Sequence, residues 1–367
     1  MTVGVEEEFL LVDPETRFLV PLAESVIAKA SPELGDRVGP ELTLYQVETR
    51  TDPHTRLTAL ADQLHSTRVQ LARAASAGGA RLVSSGAPIL HPGGPPPITR
   101  GDRYARSAAW FAALDDEQVS CACHIHIGFD DRDHALQVSN HLRVWLPTLI
   151  AVAANSPFWA ERDTGYASWR TMAWSRWPVA GPPPHFASTD HYDDLVATLI
   201  GTGAVLDHSG IYWDIRPSHH LPTLEIRVAD AALTVDHTTL LAGLVRAAAA
   251  TALDAVHRHQ PAPQLDPHLL RSAYWLAARD GLTGNALDLT RSRLQPAARR
   301  LHTFLTWLAP ALRRHGDHQH IETLTTHLRP HATGTARQHI AYQQRHRFTD
   351  VVDTLVTHTL VPPNSHQ

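Results

Sequence analysis

Thr2–Asp13 reads TVGVEEEFLLVD, an apolar strand with three consecutive glutamates set into it. Alternate side chains of a strand share a face. Gly4, Glu6, Glu8 and Leu10 therefore lie on one side, and Val3, Val5, Glu7, Phe9 and Leu11 on the other. Glu6 and Glu8 point the same way, about 6–7 Å apart along the backbone. Glu7 points into the Val/Phe side and has no evident partner. The same pattern recurs downstream. In CACHIHIGF, His124 and His126 share a face, with Cys121, Cys123, Ile125 and Ile127 opposite. In PTLEIRVAD, Thr223, Glu225 and Arg227 share a face. In ELTLYQVETRT, Gln46, Glu48 and Arg50 do, with Glu41 just before the strand.

Carboxylates on neighbouring strands repel unless a cation neutralises them. Hard oxygen ligands with an imidazole suit Mg²⁺ or Mn²⁺. Two other readings compete. Each strand is also compatible with an ordinary half-exposed sheet. Cys121, Cys123, His124 and His126 include the residue types of a zinc site, although alternation sets the two thiols opposite the two imidazoles, as expected of cysteines packed in the core.

Composition bounds the classes of function. With 367 residues, 43% of them hydrophobic, the chain can build a large core in one large domain or two ordinary ones. A formal net charge of −5 argues against a nucleic-acid or anionic-membrane surface. Lys29 is the single lysine among 32 Lys and Arg residues. A GxxxxGK[ST] phosphate loop is therefore absent, and any phosphate chemistry must use Arg, backbone amides or metal. The first residues lack a basic segment followed by an apolar one, and the apolar runs Val144–Ala154 and Leu240–Val256 are too short or are interrupted by Arg246. A soluble cytoplasmic protein is expected.

Periodicity predicts strands at Thr2–Val12, Glu41–Arg50, Arg81–Ser84, Ser120–Phe129, Tyr212–Arg216 and Thr223–Ala229. It predicts helices at Arg56–Gly78, Asp133–Asn155 and Tyr192–Ile200. His91–Arg103 and Trp177–Phe186 are Pro/Gly-rich loops, and from Val235 onward the chain reads as nearly all helical. Early strands followed by late helices indicate an α+β fold with an antiparallel or mixed sheet. One domain is expected over residues 1–361, with a disordered tail at 362–367.

The motifs GVEEEFLLVD, CHIHIGF, ANSPFW, YASWRTMAWSRWPVAGPPP, IYWDIRPS and PTLEIRVADA together resemble the YbdK-like carboxylate–amine ligases, also called type 2 glutamate–cysteine ligases. The resemblance runs from about Thr2 to Val352. It implies a glutamine-synthetase-like fold: a curved, mainly antiparallel sheet forming an active-site funnel, backed by helices, with a helical C-terminal part. It implies one metal site from Glu8, Glu41 and Glu48 and another from Glu6, His124 and Glu225, with Arg227 facing the transferred phosphate. The implied reaction is ATP-dependent amide formation through an acyl phosphate, with ATP and Mg²⁺ or Mn²⁺ as cofactors. Glutamate plus cysteine is the default substrate pair. Another amino acid or a peptide remains an alternative, as do a guanidino-kinase-like phosphotransfer and a catalytically inactive binding protein. Partners are small-molecule carboxylates and amines; a homodimer is compatible with the sequence.

Arg170 and Arg216 are candidates for gripping a carboxylate or phosphates, because a guanidinium reads either bidentately. Trp213 is a candidate wall for the nucleotide, with Trp169, Trp174 and Trp177 as further pocket aromatics. Asn155 reads as a helix cap, and Asp214 as a partner of Arg216 or of substrate. Leu276 and His339 stand where the family tends to carry Arg, which points to a difference in nucleotide or substrate contacts.

Overall fold

The computed structural model describes residues 1–328 and 332–363. Its strands are β1 (Val3–Val12), β2 (Val38–Pro40), β3 (Gln46–Arg50), β4 (Arg81–Val83), β5 (Ala122–Gly128), β6 (Phe158–Trp159), β7 (Arg162–Asp163), β8 (Ile215–Pro217), β9 (Thr223–Asp230), β10 (Asn285–Asp288) and β11 (Arg293–Pro296). Seven of them form one sheet in the order β2-β3-β1-β5-β9-β8, with β4 also paired to β1, and every pairing is antiparallel. β6–β7 and β10–β11 are separate hairpins.

The sheet has two chemically distinct faces. Val3, Val5, Cys123, Ile125, Ile127, Leu224 and Ile226 pack into one apolar cluster with the helices Leu57–Ala77, Leu146–Ala153 and Val235–His257. Phe9, Leu11 and Val47 pack beside the helix Ala23–Leu34. Val235–His257 is apolar and long enough to cross a membrane, yet 83% of its apolar window is buried inside the protein, as in a core helix. The opposite face of the sheet carries the charged residues.

Glu7 finds its partner on the packed side. Arg68, fully buried on the helix Leu57–Ala77, donates from Nη2 to Glu7 Oε1 at 2.6 Å and from Nε to Oε2 at 3.0 Å. Thr238 donates to the same carboxylate at 2.6 Å. Arg68 also donates to the carbonyls of Ala232, Leu233 and Thr359. One ion pair thereby ties the first strand to two core helices and to the last residue of the helix Phe348–Thr359.

Several expected elements differ. The helix predicted over Asp133–Asn155 is two helices, Arg132–Leu142 and Leu146–Ala153. Pro147 lacks an N–H and its ring opposes the carbonyl four residues back, which favours a break there and suits Pro147 to the first turn of the second helix. Asn155 is no cap. Its side-chain amide donates to the carbonyls of Ser84 and Ala231, and Gln338 donates to its oxygen. The strand expected at Tyr212–Arg216 forms instead at Ile215–Pro217, and the β10–β11 hairpin interrupts the helical C-terminal part. Of the tail expected at 362–367, Pro362 and Pro363 are described and 364–367 lie outside the described residues.

Candidate active site

The charged face of the sheet floors a cavity of about 520 Å³. Strand register brings its acids together. Glu8 lies directly opposite Glu48 on β3, Glu6 opposite His124 on β5, and His126 opposite Glu225 on β9. Like charges directly opposed across a ladder are destabilising by themselves.

Two groups of ligand atoms result. Glu8, Glu41 and Glu48 each offer a carboxylate oxygen within 4.8 Å of the others, and Glu6, His126 and Glu225 converge in the same way. In the first group, burial, reinforced by Glu41, pushes the Glu8 carboxyl up to about 8. Burial and then Glu6, Glu41 and Glu8 hold Glu48 well above the usual range, and burial raises Glu41. Three acids that resist ionisation together could seat a divalent cation, which would supply the missing positive charge. Backbone amides orient two of these carboxylates: Glu8 accepts from the Ala122 amide at 2.7 Å and Glu41 from the Leu42 amide at 2.8 Å. The loop His91–Arg103 braces this corner, since Thr99 donates to the Glu41 carbonyl from its hydroxyl and to that of Leu42 from its amide.

The second group differs electrically. Burial works against ionisation of Glu225, but Arg227 and then Arg216 overcome it and hold this carboxyl far below its usual range. Arg216 Nε donates to Glu225 Oε2 at 2.8 Å, and Arg227 Nη1 donates to Oε1. Two guanidiniums thus already compensate this group, and the all-carboxylate group fits a divalent cation better. The histidine gathered with Glu6 and Glu225 is His126, oriented by a 2.9 Å contact between its Nδ1 and Thr223. His124, the residue expected there, sits between the two groups, 3.2 Å from Glu6, 3.6 Å from Glu8 and 3.9 Å from Glu225. Burial and then Arg227 push its imidazole down to about 4, so it is neutral at pH 7. The Nε2 atoms of both imidazoles are buried without a hydrogen-bond partner, as free ligand atoms would be.

Arg227 is held beside both groups by a β-bulge. Between Cys123 and Ile125 on β5, β9 carries one residue more than its partner. Simple alternation would put Asp230 on the packed side. The bulge resets the parity, and Asp230 instead accepts from the Ser156 hydroxyl at 2.7 Å, the Ser168 hydroxyl at 2.8 Å and the Asn155 amide at 2.8 Å. Ser168 caps the helix Trp169–Trp174, and Ser156 Oγ accepts from the Arg170 amide at 3.0 Å. Arg170 reaches the cavity from this helix and donates to the Arg227 carbonyl at 3.2 Å.

The aromatic wall is Trp174, Trp177 and Tyr212, with ring centroids 4.9–6.0 Å apart. Trp213 is not part of it. Next to Tyr212 in extended chain, it turns the other way and packs on Phe186 and Tyr192. Trp169, Asp214, Leu276 and His339 also lie off the cavity lining; Asp214 is buried behind it and His339 meets Asp163 at 3.1 Å. Arg103 and Tyr104 do line the cavity, on the helix Asp102–Phe111, where the sequence offers no alternation to reveal them. Cys121 and Cys123 are both core residues, but they do not share a face. Cys121 precedes the first paired residue of β5 and packs near Leu10 and Tyr45, whereas Cys123 packs with Val5 and Ile125. Neither thiol belongs to a converging ligand group among the described residues.

Comparison with known proteins bears on family and fold. The profile of Glutamate-cysteine ligase family 2 (GCS2) matches residues 2–352. A protein of Mycobacterium sp. (strain KMS), provisionally named glutamate–cysteine ligase 2-2, is 43% identical over 361 residues, covering 98% of both chains. One from Saccharopolyspora erythraea, provisionally named glutamate–cysteine ligase 2-1, is 42% identical over 365 residues, covering 100% of this chain and 96% of its own. Among solved structures, the Francisella tularensis glutamate–cysteine ligase in complex with AMP superposes with a TM-score of 0.71 at 12% identity, covering 97% of this chain and 88% of its own. The bifunctional glutathione synthetase of Pasteurella multocida gives 0.69 at 13%, over 97% of this chain and 52% of its own. The likeness to these two structures is one of fold. The profile match and the relatives go further: the chain belongs to glutamate–cysteine ligase family 2.

Proposed function

We propose that this ligase joins a carboxylate to an amine at the expense of ATP, with glutamate and cysteine as its default substrates and γ-glutamylcysteine as product. The observation that carries the reading is the all-carboxylate group Glu8, Glu41 and Glu48 beside Arg227 on one cavity floor. The AMP complex of the Francisella enzyme, which shares the fold, supports nucleotide use. Glu8, Glu41 and Glu48 would hold one Mg²⁺ or Mn²⁺, and Glu6, His126 and Glu225 a second. When bound, such ions neutralise phosphate charge.

In the first step a substrate carboxylate oxygen attacks the γ-phosphorus of ATP, the bond to the β-phosphate oxygen breaks, and ADP leaves. In the second, the amine attacks the acyl carbon, inorganic phosphate departs, and the amine nitrogen loses a proton. Little covalent work falls to the protein, so its role is positioning and charge stabilisation. Arg227, fixed by Glu225, faces the equatorial phosphate oxygens, with Arg170 behind it. Trp174, Trp177 and Tyr212 limit water at the acyl phosphate. The test is release of ADP and inorganic phosphate that requires both an acid and an amine, with a product whose mass is their sum less one water. Phosphate recovered on the amine or on a guanidine would overturn the ligase reading in favour of a phosphotransferase.

A further inference from the structure

A second cavity, of about 400 Å³, adjoins the first and shares Ser209, Arg216, Ser218 and His220 with it as a common doorway. Its own lining adds Arg132, Tyr192, Asp193, His208 and His219. The chemistry of this annexe differs from that of the acidic floor. His208 and His219 stack at 4.3 Å between ring centroids, and His220 stands edge-on to His219 at 4.8 Å. Arg132 lies 5.1 Å over the Tyr192 ring and donates to Asp193, the only carboxylate in the lining among the described residues, at 2.9 Å. Arg216 spans the doorway, bonded to Glu225 on the inner side and to the carbonyls of Ser209 and Ile211 on the loop that carries His208.

We propose that this annexe is a carboxylate subsite, holding the anionic tail of a substrate longer than a free α-amino acid while its reactive end lies in the main cavity. The proposal rests on the ligase reading. Three features carry it. The annexe abuts the main cavity across four shared lining residues, which brings both within reach of one molecule. Its rim is exposed at Arg132, His208 and His219, so a tail can run outward to solvent. Its lining is rich in donors that match a carboxylate: the guanidiniums of Arg132 and Arg216, paired with Asp193 and Glu225, and three imidazoles. Desolvation, then His208, His220, Arg132 and Arg216, hold the exposed His219 imidazole below its ordinary pKa. The imidazoles are not a metal site, since the converging ligand groups among the described residues are the two of the main cavity.

The experiment uses cysteinyl-glycine and its C-terminal amide, which differ only in the charge of the tail, with cysteine as the control that lacks one. Calorimetric titration of the intact protein reads the tail contact, and phosphate release with ATP and glutamate reads ligation. We expect the dipeptide acid to bind roughly ten-fold more tightly than the amide, the scale of a hydrogen bond to a charged group. That preference should vanish in the His208→Ala/His219→Ala variant, whose affinity for cysteine is unchanged. Equal binding of acid and amide, no binding of the dipeptide, or an equal loss for cysteine in the variant would overturn the subsite. If the acid–amide preference is present in calorimetry but no acceptor releases phosphate, the subsite stands and the ligase reading falls.

Discussion

Arg227 and Asp214 illustrate what single residues do beneath the same cavity. Arg227 is buried, and although burial disfavours its charge, Glu225 raises its pKa further above an already basic value. It stays a cation at every accessible pH. A lysine would keep the charge but lose the planar fork that matches phosphate oxygens. Arg227→Lys should lower turnover by about 10²–10³-fold, the scale of one lost preorganised donor, with little change in ATP affinity. Initial-rate kinetics beside equilibrium nucleotide binding separates the two. Asp214 is different. Burial pushes its carboxyl from 3.8 up to about 6, against the pull of Arg170. A raised folded pKa means that the folded state holds its proton longer than the unfolded state. Its stabilising contribution is therefore full below pH 3.8 and lost as pH rises through 6, by up to about 3 kcal/mol. Asp214→Asn, which cannot ionise, should flatten this slope in denaturant titrations at pH 4, 5, 6 and 7. An unchanged slope would assign the dependence to other groups.

At the scale of elements, the bulge in β9 and the short helix Trp169–Trp174 form one device. Asp230 gathers two hydroxyls and an amide, and through them fixes the helix start and the Arg170 backbone. Asp230→Asn replaces a charged acceptor with a neutral amide, and each hydrogen bond to a charged group is worth about 1.5–3 kcal/mol. We expect a loss of stability on that scale and a fall of about 10- to 100-fold in kcat/KM as Arg170 loses its seat. Gly86 offers an independent approach, because a Cβ there would stand 2.7 Å from the Asp230 carboxyl carbon. Gly86→Ala should therefore reproduce the kinetic defect while leaving Asp230 in the sequence. Normal kinetics in both variants would detach the helix position from catalysis. Alternation correctly grouped Glu6, Glu8, Glu48, His124, Glu225 and Arg227, because their strands pair in register as far as Arg227. It failed for Cys121, where the end of pairing breaks the period of two, and the bulge would defeat it at Asp230 as well. It could not find Arg103 or Tyr104, which reach the cavity from a helix and depend on how distant segments pack.

Over the whole molecule, the three consecutive glutamates of the first strand divide between two tasks. Glu7 faces the core and, through Arg68, fastens the sheet to the helices and to the end of the last helix. Glu6 and Glu8 face the cavity, where crowded carboxylates oppose folding and the proposed cation would relieve them. Only the pattern of faces was readable in the sequence. Arg68 stands 61 residues from Glu7, and no local signal pairs them. The division can be measured on the full chain by thermal unfolding with and without Mn²⁺. Binding to the native state alone adds RT ln(1 + [L]/Kd), about 2.7 kcal/mol at a hundred times Kd. The wild type should therefore melt higher with Mn²⁺ and lose that increment in excess chelator. Glu48→Gln removes one of three like charges and one ligand, so its metal-free protein should melt no lower than wild type while the increment shrinks. Glu7→Gln strands a buried guanidinium and should cost about 3–5 kcal/mol with or without metal, while the increment is kept. If Glu7→Gln erased the increment and Glu48→Gln preserved it, the two tasks would have to be exchanged, and the charge on the first strand would need another account.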